Sequence, residues 1–225
     1  MNRAVLPIMK IGILGSGEVG RRLAEGCIDL GHHVMIGTRN PEKEELQKWI
    51  DNPKHKENAF VGSFAEAASF GKLIVLSTLW EGTENAINLA ISSNFNDKIV
   101  VDTTNPLEFA KDSSPKLSFG YDKSAGEIIQ SLLPNSKVVK AFNIVGNPHM
   151  IHPNFPGGPP TMFICGSFKD AKDMIIQELL TPFGWDTIDI GGIEQSRLLE
   201  PLAMLWITYY MQTGLGNHAF KLLKK

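Results

Sequence analysis

The sequence predicts an α/β fold: a doubly wound, mostly parallel sheet with helices on both faces, followed by a small C-terminal helical extension. Two observations lead there. Short, continuous apolar runs alternate with helix-length amphipathic stretches from residue 10 to residue 190, the pattern of strands buried on both faces and joined by crossover helices. The first strand-to-helix junction also carries Gly15, Gly17 and Gly20, which makes the sheet Rossmann-type. At ~150 residues per domain, a chain of 225 residues, 43% hydrophobic and 20% charged, is one large domain plus an appendage.

The elements follow in order. Lys10-Ile-Gly-Ile-Leu-Gly15 is an apolar strand, and Glu18 to Leu30 a helix stopped by Gly31. His33 to Gly37 is the second strand, and Pro41 sits where the first turn of a helix through Glu44 and Trp49 tolerates it. Ala59-Phe-Val61 is a short third strand. Ser63 caps a helix through Ala68, with Glu66 completing a capping box. Lys72 to Ser77 is the fourth strand, Glu81 to Ser92 a helix, and Lys98 to Asp102 the fifth strand, which Thr103-Thr-Asn-Pro106 ends. Ser124 to Leu133 is a helix and Lys137 to Ala141 the sixth strand; Asn154 to Pro160 is irregular. Thr161 to Cys165 is a strand, Lys169 to Leu180 a helix and Asp186 to Ile190 the last strand. From Glu194 to the end the spacing is helical, with a break near Gly214 to Gly216 and a solvated end at Lys221, Lys224 and Lys225. Residues 9–190 thus form the expected nucleotide-binding domain and 191–225 a helical region beside it.

Composition narrows the partners. Lys plus Arg total 22 against 24 for Asp plus Glu, a formal net charge of −2, so neither nucleic acid nor an anionic membrane is an expected partner. Cys27 and Cys165 fit two reduced, buried thiols and hence a cytoplasmic protein. Met1 to Lys10, interrupted by Pro7 and with Met9 as a second start codon position, lacks the apolar stretch of a signal peptide. Leu202 to Met211 is roughly half the length of a membrane span. His149 and His152 have no cysteine or carboxylate company, so no metal site is expected.

Gly15-Ser16-Gly17-Glu18-Val19-Gly20 follows a strand and opens a helix, the context a dinucleotide-binding loop requires. Gly15 permits the tight turn, Gly17 lets backbone approach a pyrophosphate, and Gly20 brings helix and strand together, while free amides face the anion. Glu18 complements the helix dipole. The second strand ends in Gly37-Thr38-Arg39-Asn40, with no acid where an NAD enzyme holds the ribose hydroxyls. Thr38 can donate a hydrogen bond, Arg39 can grip a 2′-phosphate as a fork, and Lys43 adds charge, so NADP(H) is the expected cofactor. In an open parallel sheet the ligand lies at the carboxyl ends of the strands. There Ser77, Thr78 and Leu79 border the pyrophosphate and nicotinamide ribose, and Asn105 with Asn143 lies near the reacting ring; turn formation is an equally good account of each one singly.

These residues together resemble the NADP-dependent coenzyme F420 reductases (F420H2:NADP oxidoreductase-like proteins). The resemblance runs through Met9 to Gly20, Ile36-Gly-Thr-Arg-Asn40, Val138-Val-Lys-Ala-Phe-Asn143, Ser196 to Trp206 and Asn217-His-Ala-Phe-Lys-Leu-Leu223. Pro156 to Pro160 and Gly166 to Asp170 depart from the family's pattern. The resemblance implies that Thr38 and Arg39 hold the 2′-phosphate, Gly15 to Val19 the pyrophosphate, and that the C-terminal region completes a deazaflavin pocket and a homodimer contact. A deazaflavin or flavin ring accepts hydride without a positioned acid, and no Tyr of this chain has a Lys four residues on, so no residue is assigned acid/base catalysis. Two other readings stay open: an NADPH-dependent reductase of a small carbonyl or imine, and a non-catalytic NADP-binding sensor.

Overall fold

A computed structural model describes residues 7–55, 57–109 and 114–225. The expectation for Met1 to Lys10 thus falls largely outside the described residues. Six strands form one parallel sheet: β1 (Lys10–Leu14), β2 (His33–Gly37), β3 (Ala59–Gly62), β4 (Leu73–Leu76), β5 (Ile99–Asp102) and, after a short hairpin, β8 (Lys137–Lys140). Their order is β3-β2-β1-β4-β5-β8, so the direction of winding reverses between β1 and β4. That reversal point is where such a sheet opens a ligand crevice. The connecting helices are α1 (Glu18–Asp29), α2 (Glu44–Ile50), α3 (Phe64–Phe70), α4 (Trp80–Leu89) and α5 (Ala125–Leu132).

The continuous apolar strands serve two cores. Ile11, Ile13, Leu73, Val75, Val101 and Val139 point into the cluster under α1. Their neighbours Leu14, Ile74, Leu76, Val100 and Val138 point into the one under α3, α4 and α5. Side chains alternate along a strand, so a strand covered on both faces needs apolar residues at every position. The capping box at α3 forms as expected: Ser63 N–H donates to Glu66 Oε2 at 2.7 Å, and Glu66 N–H to Ser63 Oγ at 3.2 Å.

Four expectations need correction. A short antiparallel pair of β6 (Leu107–Glu108) and β7 (Lys116–Leu117) stands between the fifth strand and the helix from Ser124, where the sequence reading assigned no element. The last two strands, β9 (Thr161–Ile164) and β10 (Asp186–Asp189), form a separate parallel pair, tied to β8 by one antiparallel bridge between Lys140 and Cys165. The helix between them, α6 (Lys169–Ile175), relaxes into a π-turn at Ile176–Leu180. Finally, helix α7 (Ser196–Thr213) stops for good at Gly214, whose φ of +66° ends it in the left-handed region. The last residues are not helical: Thr161 N–H donates to Phe220 O at 2.8 Å, so the tail runs beside β9. Lys221 is no solvated helix end; its ammonium donates to Pro159 O at 2.6 Å.

Candidate functional site

The glycine bend has three separate constraints. Gly15 sits at φ +127°, and a Cβ there meets the Ser77 carbonyl oxygen at 2.5 Å. A Cβ on Gly20 meets Gly15 O at 2.1 Å, so both positions are closed by the protein's own backbone. Gly17 differs, because a Cβ there meets nothing within 4 Å. The polypeptide itself therefore leaves this position open to the outside. Gly17 is also the N-cap of α1 and makes no side-chain cap bond. Arg21 N–H donates to Gly17 O at 3.0 Å, and among the described residues the amides of 16–20 ahead of it have no acceptor. Uncapped amides at the positive end of a helix attract an anion.

Ser77 supports this bend from beneath. Its hydroxyl donates to Leu14 O at 3.2 Å and Gly15 O at 3.3 Å, so its side chain braces the loop. Glu18 lies on the rim, where Asn147 Nδ2 donates to its carboxylate at 3.3 Å.

At the exit of β2 the Thr38 hydroxyl accepts from Ser16 Oγ at 3.3 Å and from Asn40 N–H at 3.4 Å, joining the two loops. Asn40 Oδ1 accepts from Glu42 N–H at 3.2 Å and shapes the turn into α2. Arg39 and Lys43 are exposed, and among the described residues neither pairs with a carboxylate. Nearby Arg21 and Lys48 do, with Glu45 at 3.3 Å and Glu44 at 2.5 Å. Arg39 and Lys43, at the exit of β2, thus differ from these two neighbouring cations.

Beyond β4, Thr78 Oγ1 and Thr83 Oγ1 lie 2.8 Å apart, and Leu79 is 66% exposed at the mouth. The two asparagines expected near the reacting ring do meet. Asn105 Nδ2 donates to Asn143 O at 2.8 Å, and Asn143 Nδ2 donates to Asn105 Oδ1 at 3.0 Å and Leu199 O at 3.0 Å. Phe142 just before them adopts φ +64°, a conformation that costs a bulky residue roughly 1–2 kcal/mol. Burial against Phe183 at 6.2 Å between ring centres holds it there.

Sequence reasoning missed one group entirely. Lys140 Nζ lies 2.7 Å from Asp102 Oδ2 and 3.0 Å from Glu200 Oε1, with all three side chains at most 2% exposed. Burial alone would lower the Lys140 pKa, but the two carboxylates outweigh it and hold the ammonium above its usual range. Burial raises the Glu200 pKa, and Lys140 offsets only part of this. The available signal was a charge ending an otherwise apolar strand, as in Ile-Val-Val-Asp102 and Val-Val-Lys140; ordinary surface charges look the same without the topology.

Among the described residues no cluster of His, Cys, Asp and Glu can hold a metal ion, and no helix is long and apolar enough to cross a membrane.

The family profile described as NADP oxidoreductase coenzyme F420-dependent matches residues 10–106. An F420-dependent NADP reductase of Methanocaldococcus jannaschii is 32% identical over 206 residues, covering 88% of this chain and 91% of that protein. A metalloreductase STEAP3 of Rattus norvegicus is 30% identical over 199 residues, but the chain spans only 37% of its length. A solved structure described as an F420-dependent NADP reductase from Arthrobacter sp. FB24 superposes with a TM-score of 0.89 at 35% identity, covering 96% of this chain and all of that one. An imine reductase of Streptomyces aurantiacus, 16% identical with a TM-score of 0.64, shares the fold.

Proposed function

The chain belongs to the family of F420-dependent NADP reductases, and from that premise we propose how its own residues carry out an NADP-dependent oxidoreduction with coenzyme F420. The carrying observation is the bend at Gly17, open to the outside and lined by uncapped amides, beside the unpaired Arg39 guanidinium. Bound NADPH supplies a hydride and the deazaflavin ring of coenzyme F420 accepts it, or the reverse.

The protein's part is binding and alignment. The amides of 16–20 take the pyrophosphate, and Thr38, Arg39 and Lys43 take the 2′-phosphate and its ribose, with Asn40 fixing the turn that presents them. Ser77 keeps the bend in shape, while Thr78 and Leu79 border the ribose next to the reacting ring. Asn105 and Asn143 form the floor at the acceptor end. No side chain is needed as an acid, because a deazaflavin carbon accepts hydride directly and its nitrogen takes a proton from solvent. Asp102 and Glu200 are committed to Lys140. Catalysis then rests on holding two rings close in a dry cleft. Residues 9–190 serve the nucleotide and 191–225 complete the acceptor side.

The protein acts in the cytoplasm as a homodimer. Leu198, Leu205 and Tyr209 are 56%, 59% and 48% exposed. They lie within about 40° of one another around α7 at 100° per residue, forming an apolar stripe that a second copy can cover.

The reading is tested by mixing the protein with NADPH and, separately, coenzyme F420, FMN and a panel of carbonyls and imines. Oxidation of NADPH with the ring carriers and not the panel is the expected result. Oxidation with the panel alone contradicts it, and binding without turnover on any acceptor makes the protein a sensor.

A further inference from the structure

We propose that Lys140, with Asp102 and Glu200, is a set of positioning residues that fixes the acceptor end of the cleft and thereby the distance over which hydride moves. The inference rests on the reaction proposed above. Lys140 Nζ has three partners: it donates to Thr104 O at 2.7 Å and is ion-paired with Asp102 Oδ2 at 2.7 Å and Glu200 Oε1 at 3.0 Å. These lie on two different segments, both of which lead to the asparagine floor. Asp102 Oδ1 accepts from Thr104 N–H at 2.8 Å and Thr104 Oγ1 at 2.7 Å, locking the residue before Asn105. Glu200 follows Leu199, whose carbonyl holds Asn143. Glu200 also accepts from the first amides of α5, Ala125 N–H and Gly126 N–H, both at 3.1 Å. One ammonium thus ties the exit of β5, the end of β8, the start of α5 and helix α7 together.

Stability is a poor reason for such a group. Desolvating ions costs several kcal/mol each, and replacing a buried ion cluster with apolar residues of similar volume is often neutral or stabilising. What the ions give is direction: Glu200 holds two backbone amides of α5, Asp102 Oδ1 holds Thr104, and the ammonium donates to Thr104 O while lying between the two carboxylates. The nucleotide's adenosine and pyrophosphate bind at the other half of the crevice, beside β1 and β2. Loosening this cluster should therefore change the reaction and leave the grip on NADP alone.

The test uses the full chain with Glu200→Gln, which keeps the Lys140–Asp102 pair, and with the triple replacement Asp102→Asn, Lys140→Met, Glu200→Gln, which leaves no unpaired buried charge. The expected result is an unchanged Kd for NADP by calorimetry, with kcat for F420 reduction down about tenfold or more, since a misplacement of 1 Å can cost about a hundredfold. The deuterium isotope effect on kcat from 4-deuterated NADPH should rise as hydride transfer becomes limiting. Without any nucleotide, amide exchange should quicken at 103–105, 125–126 and 196–203 and stay as in the wild type at 10–20 and 33–38. A purely structural fastener would lower the melting temperature and leave kcat and the isotope effect untouched, which overturns the inference. Absent wild-type turnover overturns the reading of the reaction instead; the exchange experiment then decides the inference, and exchange unchanged or quickened uniformly over the chain overturns it.

Discussion

Replacing Gly17 with Ala separates the protein's needs from the ligand's. Gly17 has φ −72° and ψ −178°, a conformation that alanine adopts freely, and the added methyl meets no atom within 4 Å. Restricting the unfolded chain at a compatible site stabilises by about 0.4–1 kcal/mol, a rise in Tm of up to roughly 4 °C for a protein of this size. The same methyl fills the space through which a pyrophosphate reaches the amides. Losing one charge-assisted hydrogen bond of roughly 1.5–3 kcal/mol weakens NADP binding about ten- to a hundredfold. Gly20→Ala is the control. Its methyl would lie 2.1 Å from Gly15 O and 2.7 Å from Ser77 Oγ, so overpacking costs roughly 1–3 kcal/mol and Tm falls. Calorimetric melting and NADP titration of both variants give the comparison. A Gly17→Ala protein that melts no lower than wild type and binds NADP just as tightly would refute the placement of the pyrophosphate over this bend.

Arg39→Ala should weaken NADP about ten- to a hundredfold and leave NAD nearly unchanged, measured as the ratio of the two dissociation constants; an unchanged ratio removes Arg39 from the 2′-phosphate. His32 is buried and its Nδ1 accepts from Met9 N–H at 3.3 Å, and burial lowers its pKa below the usual 6.5. The unfolded chain therefore binds the extra proton first, so this stabilisation is complete above pH 6.5 and is lost as pH falls from there through the lowered folded value. Melting curves across that range should show a shallower decline in His32→Gln than in the wild type. Leu205→Glu places a charge in the exposed stripe of α7 and should halve the mass measured by light scattering; a dimer that persists puts the contact elsewhere.

Wherever one physical constraint decides a residue, the sequence was readable. The apolar residue at every strand position reports burial on two faces, Ser63 with Glu66 reports a helix start, and Gly15 and Gly20 report backbone closeness. Gly17 is of another kind: nothing in the polypeptide crowds it, so backbone closeness does not account for a glycine there. What stayed hidden depends on distant segments meeting. Asp102, Lys140 and Glu200 look like three ordinary charges until the order of β5 and β8 and the return of α7 bring them within 3.0 Å. The end of α7 was misread because the apolar spacing continues past Gly214, although its left-handed backbone and the bonds of the tail to Thr161 decide otherwise. The sequence put both asparagines at strand ends, but their mutual hydrogen bonds and the strained Phe142 before Asn143 were not legible, since backbone strain leaves no mark on composition.

The central claim is direct hydride passage between two aligned rings with no protein acid between them. Turnover of coenzyme F420 with 4-deuterated NADPH of either stereochemistry, followed by mass spectrometry of the reduced deazaflavin, tests it. One of the two labelled forms should deliver its deuterium intact to the product carbon; a product that carries only solvent hydrogen, or no reduced deazaflavin at all, would contradict the account.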